Sequence, residues 1–151
     1  MYVGHINLAE SFNGAGEHFV GLIEALQQRG VEQYVLVRNV ALAKRLDLIE
    51  NLTVGPVVRS AVTAFCLMPR VDVLHVHDRA SRAAGLLATL TQSVPFVLTN
   101  DVSIDADRNP ISQSACRRAA GFIEPGEIDA ATHIVVYQRA ANALKTSQAS
   151  R

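Results

Sequence analysis

The sequence has no tryptophan, only two cysteines and no excess of charge of either sign. Its 14 basic and 14 acidic side chains give a formal net charge of +0, which excludes the strong basic footprint expected for binding to nucleic acid or an anionic membrane surface. Cys66 and Cys116 lie far apart, and neither belongs to a Cys-x-x-Cys pair. We therefore expect reduced structural thiols without a redox role.

Long apolar runs are also missing, and a membrane helix would need about 20 such residues. The first residues, MYVGHINLAES, lack the basic start and cleavage site of a secretory signal, so we expect a cytoplasmic protein. With 151 residues, of which 49% are hydrophobic, the chain suffices for one well-buried domain and is too short for two of Rossmann size. We predict one domain over 1–151 with a frayed tail from Lys145.

Strand-like and helix-like periods alternate along the whole chain, without a linker or a repeat. The predicted strands are Tyr2 to Leu8, Tyr34 to Val37, Leu52 to Val58, Val71 to Val76, Pro95 to Thr99 and His133 to Tyr137. Helices are predicted between them, among them Ala80 to Thr91, Pro110 toward Phe122, and a final Ala140 to Leu144. This alternation implies right-handed crossovers, and so an α/β, Rossmann-like, doubly wound and mainly parallel sheet of about six strands in the order 3-2-1-4-5-6.

That strand order has its switch point between the first and fourth strands, where ligands bind in such sheets. It places the loop Ala9 to Glu17 beside His77, Asp78 and Arg79. Gly14 and Gly16 precede a helix, so their amides can approach an anion at the helix N-terminus. The alternative is that both glycines only permit a tight turn.

His75 and His77 alternate with hydrophobic residues, so both side chains leave the strand on one face. A zinc site needs three or four convergent ligands, and no spacing argument brings a third, so no metal site is predicted. The remaining histidines are His5, His18 and His133. His75 is equally well explained as a core histidine, which makes His77 the better functional candidate.

Charged residues near the same edge have structural and functional interpretations. Asp78 is a candidate binding residue or the N-cap of the following helix. Arg79, Arg82 and Arg139 form a candidate set for phosphate or carboxylate, although solvated surface arginines are the commoner case. The dinucleotide fingerprint fails at Phe19, which occupies the third glycine position, and at the end of the second strand, where NAD-binding proteins place an acidic residue. An NADP-binding interpretation therefore depends on Arg38 alone.

The segment VDVLHVHDRASRAAGLLA, followed by PFVLT, resembles the N-terminal domain of GT-B glycosyltransferases, particularly family 4. The shared pattern is Asp-hydrophobe-hydrophobe-His-hydrophobe-His, a helix of small residues, and a strand that ends in Thr. By this resemblance, Gly14, Gly16 and Glu17 match a loop near the donor phosphate and the acceptor, and His77 lies in the interdomain cleft. Asn100 stands near the place where the family often has Thr-x-His, without that histidine.

The resemblance covers only half of a GT-B enzyme. The donor-binding domain, with its Glu-x7-Glu element, has no counterpart; Glu24 and Glu32 have this spacing but flank the helix stop at Gly30. The resemblance thus implies an acceptor-side domain of a retaining glycosyltransferase that is catalytically incomplete alone, in carbohydrate or lipopolysaccharide biosynthesis. It needs no cofactor, and a nucleotide sugar enters only with a partner.

The same resemblance implies a set of partners. These are a separate donor-binding domain or a homo-oligomer formed through the strand-carboxyl face, and an anionic sugar acceptor bound by the arginines. The alternative is a non-catalytic binding or interaction domain on the same scaffold.

Overall fold

The computed structural model describes residues 1–99, 109–124 and 129–149. Its strands are β1 (Tyr2–Asn7), β2 (Glu32–Val37), β3 (Thr53–Val54), β4 (Val73–Val76), β5 (Phe96–Thr99) and β6 (Gly121–Ile123). Its helices are α1 (Gly14–Gln28), α2 (Val40–Leu46), α3 (Ala61–Leu67), α4 (Arg82–Gln92), α5 (Pro110–Arg118) and α6 (Ala130–Ala149), with a single 3-10 turn over Arg79–Ser81 before α4.

The six strands form one parallel sheet in the order β3-β2-β1-β4-β5-β6. The predicted α/β, Rossmann-like fold and its strand order are confirmed. In the described part of the chain, no helix combines the length and the apolar character that a membrane span requires.

The register decides which side chains share a face of the sheet. His5 pairs with Val35 on one side and with His75 on the other, and His75 pairs with Val97. Residues in register on neighbouring parallel strands point to the same face. This face is covered by α1, α2 and α6, whose buried side chains include Leu22, Leu42 and Tyr137.

The opposite face packs against α3, α4 and α5, and its core includes Ile6, Leu74 and Phe96. The small residues of α4 allow close approach to this face. A Cβ atom at Gly85 would lie 2.5 Å from the ring of Phe96, so only glycine fits without a shift of that ring. The helix of small residues is therefore explained by packing against β5.

The predicted sixth strand, His133 to Tyr137, is wrong, because these residues lie within α6. Its buried side chains follow a helical period of three to four residues, from Ala130 through His133 and Tyr137 to Ala140. The strand was predicted from the β-branched residues between His133 and Tyr137, but one of them, Val135, is exposed.

The sixth strand is instead Gly121–Ile123, and the helix predicted from Pro110 toward Phe122 ends at Arg118. With three residues, this strand is too short to show a period of its own.

Other boundaries shift less. The third strand, predicted over Leu52 to Val58, is reduced to Thr53–Val54; the Gly55 amide still donates to the Val35 carbonyl, but Pro56 has no amide hydrogen to continue the pairing. The helix predicted from Ala80 begins at Arg82, after the 3-10 turn. The last helix is longer than Ala140 to Leu144 and continues through 145–149, into the segment expected to be frayed.

Candidate functional site

A cavity of about 590 Å³ opens at the carboxyl edge of the sheet, where the strand order reverses between β1 and β4. It lies between the β1–α1 loop, the ends of β4 and β5, and the first turn of α6. Its lining comprises Asn7, Ala9, Ser11, Asn13, Gly14, Ala15, Gly16, His18, Phe19, Leu22, Leu42, His77, Asp78, Thr99, Ile123, Glu124 and His133. The structure thus brings Gly14, Gly16, His77 and Asp78 together at one site.

The N-terminus of α1 forms one wall of the cavity. The Asn13 side chain accepts a hydrogen bond from the Ala15 amide at 3.1 Å and so caps the helix. Within the described part of the chain, the amides of Gly14 and Gly16 have no acceptor. A Cβ atom at Gly16 would lie 2.4 Å from the Phe12 ring, whereas one at Gly14 would have no atom within 4 Å. Of these two positions, only position 16 requires glycine for packing.

Asp78 joins the ends of β1 and β4. Its Oδ2 accepts hydrogen bonds from the Leu8 amide at 2.6 Å and from the Ser81 hydroxyl at 2.9 Å, while its Oδ1 accepts one from the Ser81 amide at 3.0 Å. Burial raises the pKa of Asp78, and these hydrogen bonds oppose the rise. Asp78 lines the cavity, but its oxygens already serve the capping role that the sequence offered as an alternative.

Histidines cluster on the sheet face below the cavity. His75 is fully buried between two hydroxyl groups: its Nδ1 lies 2.7 Å from the Tyr137 hydroxyl, and its Nε2 lies 3.0 Å from the Thr99 hydroxyl. His133 reaches the cluster from α6, and its ring centre is 5.8 Å from that of His75. His75 is thus a buried histidine with both ring nitrogens in hydrogen bonds.

His77 connects the buried cluster to the cavity. Its Nε2 lies 3.0 Å from Nδ1 of the fully buried His5, and its Nδ1 lies 3.5 Å from the Thr99 hydroxyl. The Phe19 ring packs edge-on against the His77 ring at 4.6 Å. Thr99 and Phe19 also line the cavity, so one nitrogen of His77 faces the protein core and the other lies beside a lining residue.

His5, His75 and His77 are electrically neutral near pH 7. Burial lowers the pKa of His5 to about 3, and the nearby His133 adds to this effect. Burial also holds the pKa values of His75 and His77 well below the ordinary value, and the neighbouring histidines lower them further. At neutral pH each of these rings therefore has one N–H donor and one bare nitrogen.

His5 adds a third histidine to His75 and His77, which is the smallest number of ligands for a zinc site. One nitrogen from each of His5, His75 and His77 lies within 4.8 Å of the others, and neutral histidine is a good zinc ligand. Around tetrahedral zinc, however, the centres of two ligating rings are about 5 Å apart. The His75 and His77 rings are 3.7 Å apart, and hydrogen bonds occupy both nitrogens of His75. As they stand, these residues do not fit a metal ion.

Several predicted site residues lie elsewhere. Glu17, Arg79 and Arg139 are exposed and do not line the cavity. Arg82 is buried on the opposite face, where its Nη1 donates to the Ser112 hydroxyl at 2.7 Å. Asn100 lies outside the described residues.

The electrostatic character of the lining differs from the basic crest that the sequence suggested. Among the lining residues that the structure describes there is no lysine or arginine, but there are two carboxyl groups, Asp78 and Glu124. Arg38, on which the NADP interpretation depends, is paired with Glu10 at 2.8 Å and is also outside the lining.

Sequence reasoning missed His5, His133, Thr99 and Phe19 as parts of this site. Position along the chain gives no sign that His5 meets His77, because only the β1–β4 register brings them together. Thr99 carried a usable signal, since a polar residue ends a predicted buried strand at the edge where ligands bind.

No known family model matches the sequence, and it matches no curated protein. The glycosyltransferase resemblance thus depends on the sequence pattern alone, from the loop before α1 to β4, α4 and β5.

Proposed function

We propose that this chain is a sugar-binding domain that forms the acceptor side of a GT-B-type glycosyltransferase. The observation that supports the proposal is the cavity at the β1–β4 switch point, where the α1 amides and His77 converge. Its volume of about 590 Å³ is within the range of small-molecule sites. In this proposal the site acts in the cytoplasm.

The chemistry of the lining favours a neutral, polyhydroxylated ligand. Neutral hydrogen-bonding side chains, such as Asn7 and Thr99, alternate there with apolar ones, such as Phe19, Leu22 and Ile123. Sugars present hydroxyl groups and apolar ring faces to such surfaces. The anionic acceptor expected from the arginines has less support, because Arg79 and Arg139 are outside the cavity and two carboxyl groups are inside it.

A donor-binding partner completes the proposed enzyme. A single domain provides one wall of a GT-B cleft, so a bound sugar keeps much of its hydration. We expect a dissociation constant in the millimolar range, equivalent to about −4 kcal/mol. The partner, a separate donor-binding domain or a second copy, would cover the strand-carboxyl face.

The second candidate is a non-catalytic binding domain that uses the same cavity. The observation that favours it is the engagement of Asp78 in capping, which leaves the described lining without a carboxyl pair arranged for acid and base chemistry. The NADP-binding alternative has weaker support, since Glu10 already neutralises Arg38 and the bulky Phe19 stands in place of glycine.

Chemical-shift mapping of the full chain tests the proposal. We expect glucose, galactose or mannose at millimolar concentration to shift the amide signals of Gly14, Gly16, His77 and Thr99. His77→Ala should abolish these shifts, while the matched surface change Arg139→Ala should retain them.

Two results would contradict the sugar proposal. Shifts with phosphate or UDP but with none of the sugars would indicate an anion site at the α1 N-terminus. Shifts with adenosine 2′-phosphate alone, lost in Arg38→Ala, would indicate the NADP alternative.

A further inference from the structure

A row of polar side chains runs through the core on the face covered by α1 and α6. Its members, in order, are Gln33, His5, His77, Thr99, His75 and Tyr137; polar contacts join the row from His5 onward, and Gln33 is the diagonal neighbour of His5 on β2. Buried polar groups need hydrogen-bond partners, so the positions of the hydrogens in such a row depend on one another. They can be assigned from the end at which the donors and acceptors are already known.

Gln33 is that end. Its amide nitrogen donates to the Ile23 carbonyl and to Oε1 of Gln27, each at 3.1 Å, which leaves its own Oε1 as a buried acceptor. Oε1 of Gln33 and Nε2 of His5 are both buried without a hydrogen-bond partner in the described part of the chain. The two residues are diagonal neighbours on β2 and β1, and the Gln33 side chain favours the protonated form of His5, as an acceptor near a ring N–H does. We therefore place the hydrogen of His5 on Nε2, toward the unpartnered Oε1 of Gln33.

The assignment then passes to His77. A neutral His5 with its hydrogen on Nε2 has a bare Nδ1, which can only accept. Its hydrogen-bond partner is Nε2 of His77 at 3.0 Å, so that nitrogen must carry a hydrogen. Because His77 is itself neutral, its Nδ1 is bare.

The other end of the row leaves this result unchanged. The Thr99 hydroxyl lies 3.0 Å from Nε2 of His75 and 3.5 Å from Nδ1 of His77, and it has one hydrogen to donate to either. The Tyr137 hydroxyl can donate to His75 or accept from it, so both arrangements satisfy His75. In each of them, Nδ1 of His77 is an acceptor.

We infer that Gln33 and His5 are positioning residues that fix His77 as the tautomer with its hydrogen on Nε2, so that His77 offers the cavity an acceptor, Nδ1, beside Thr99. The matching ligand group is a donor, such as a hydroxyl or an N–H, and the phosphate group of a monoester dianion has none to give. The ligand class depends on the proposed sugar-binding function, but the tautomer does not.

The tautomer can be measured in the full chain without any ligand. Long-range proton–nitrogen correlation spectra of isotope-labelled histidine distinguish the N–H nitrogen of each ring from the bare one. At about pH 7 we expect one tautomer for His77, with N–H at Nε2. His5→Asn offers an amide oxygen in place of Nδ1 and should retain this tautomer, whereas His5→Leu should give a mixture of both.

A second pair of variants guards against a folding defect in His5→Leu. Gln33→Met removes the acceptor from the start of the row and should also give a mixture at His77. Tyr137→Phe alters the other end and should leave the His77 tautomer unchanged. Because no sugar is present, a failure of sugar binding leaves these expectations untouched.

Three outcomes would overturn the inference. The first is a wild-type His77 with its hydrogen on Nδ1, or doubly protonated near pH 7. The second is a single tautomer that persists in both His5→Leu and Gln33→Met. The third is the loss of the His77 N–H signal on addition of one equivalent of Zn²⁺, together with shifts of His5 and His75, because the triad would then be a metal site.

Discussion

The Leu8 amide donates a hydrogen bond of 2.6 Å to the Asp78 carboxylate, 70 residues further along the chain. This contact connects the residue that follows β1 to the cap of the 3-10 turn that leads into α4, across the switch point of the sheet. The Asp78 side chain therefore holds together the two segments that follow β1 and β4 at the cavity. Its role is structural, and its removal should affect stability first.

Asp78→Ala should destabilise the fold by about 2–3 kcal/mol, since it removes an N-cap and leaves the buried Leu8 amide without a partner. Asp78→Asn keeps one acceptor oxygen and should cost about half as much. Urea unfolding of the two variants measures the difference. Asp47→Ala, at an exposed carboxylate, is the control and should change stability by less than about 0.5 kcal/mol. Equal effects of Asp78→Ala and Asp47→Ala would contradict the capping role.

Gly14 and Gly16 offer a matched pair of substitutions in one helical turn. Gly16→Ala should cost about 1–3 kcal/mol, because the new Cβ would lie 2.4 Å from the Phe12 ring, which must move. Gly14→Ala meets no atom within 4 Å and should be neutral or stabilise the helix by up to about 1 kcal/mol. Thermal or urea unfolding compares them. If the two variants are equally stable, the contact with Phe12 does not explain the glycine.

The fold was largely predictable because its signals are local and repeated. Buried β-branched strands such as β4 and β5, separated by helices, indicate a parallel sheet, and handedness then limits the strand order. The last strand was missed for a physical reason. Gly121–Ile123 is too short to show a period, while Ile134 to Val136 look like a strand although the burial of His133 and Tyr137 follows a helix.

Site residues could be predicted only where their position at the end of a strand decides where they lie in the sheet. The strand-end rule placed His77 and Asp78 at the carboxyl edge, and both line the cavity. The rule could not show that Arg79 is exposed away from the cavity, or that Asp78 is occupied by the Leu8 amide. Contacts such as His5 with His77 need the inter-strand register, which periodicity alone does not supply.

The isolated chain should transfer no sugar from UDP-, GDP- or ADP-activated donors to simple sugar acceptors. In the proposed function the described residues form one wall of a cleft, and a partner supplies the domain that holds the nucleotide. A coupled assay for nucleotide release measures this, with a complete GT-B glycosyltransferase as the positive control. Sustained turnover by the purified chain, lost in His77→Ala, would show that the acceptor-side assignment is wrong.

Acid should destabilise this protein through its buried histidines. The folded-state pKa of His5 is lowered to about 3, and those of His75 and His77 are also well below the ordinary value of about 6.5. A lowered pKa means that the unfolded chain binds more protons between the two values. Stability therefore rises with pH across this window and falls as pH drops below about 6.5.

For His5 alone, the slope of unfolding free energy against pH should approach about 1 kcal/mol per pH unit between about pH 6 and 4. Urea unfolding at several pH values measures this slope. His5→Asn removes one titrating group and should lower this slope by roughly that amount. An unchanged slope in His5→Asn, or stability that increases toward acid pH, would mean that His5 is not held neutral by burial.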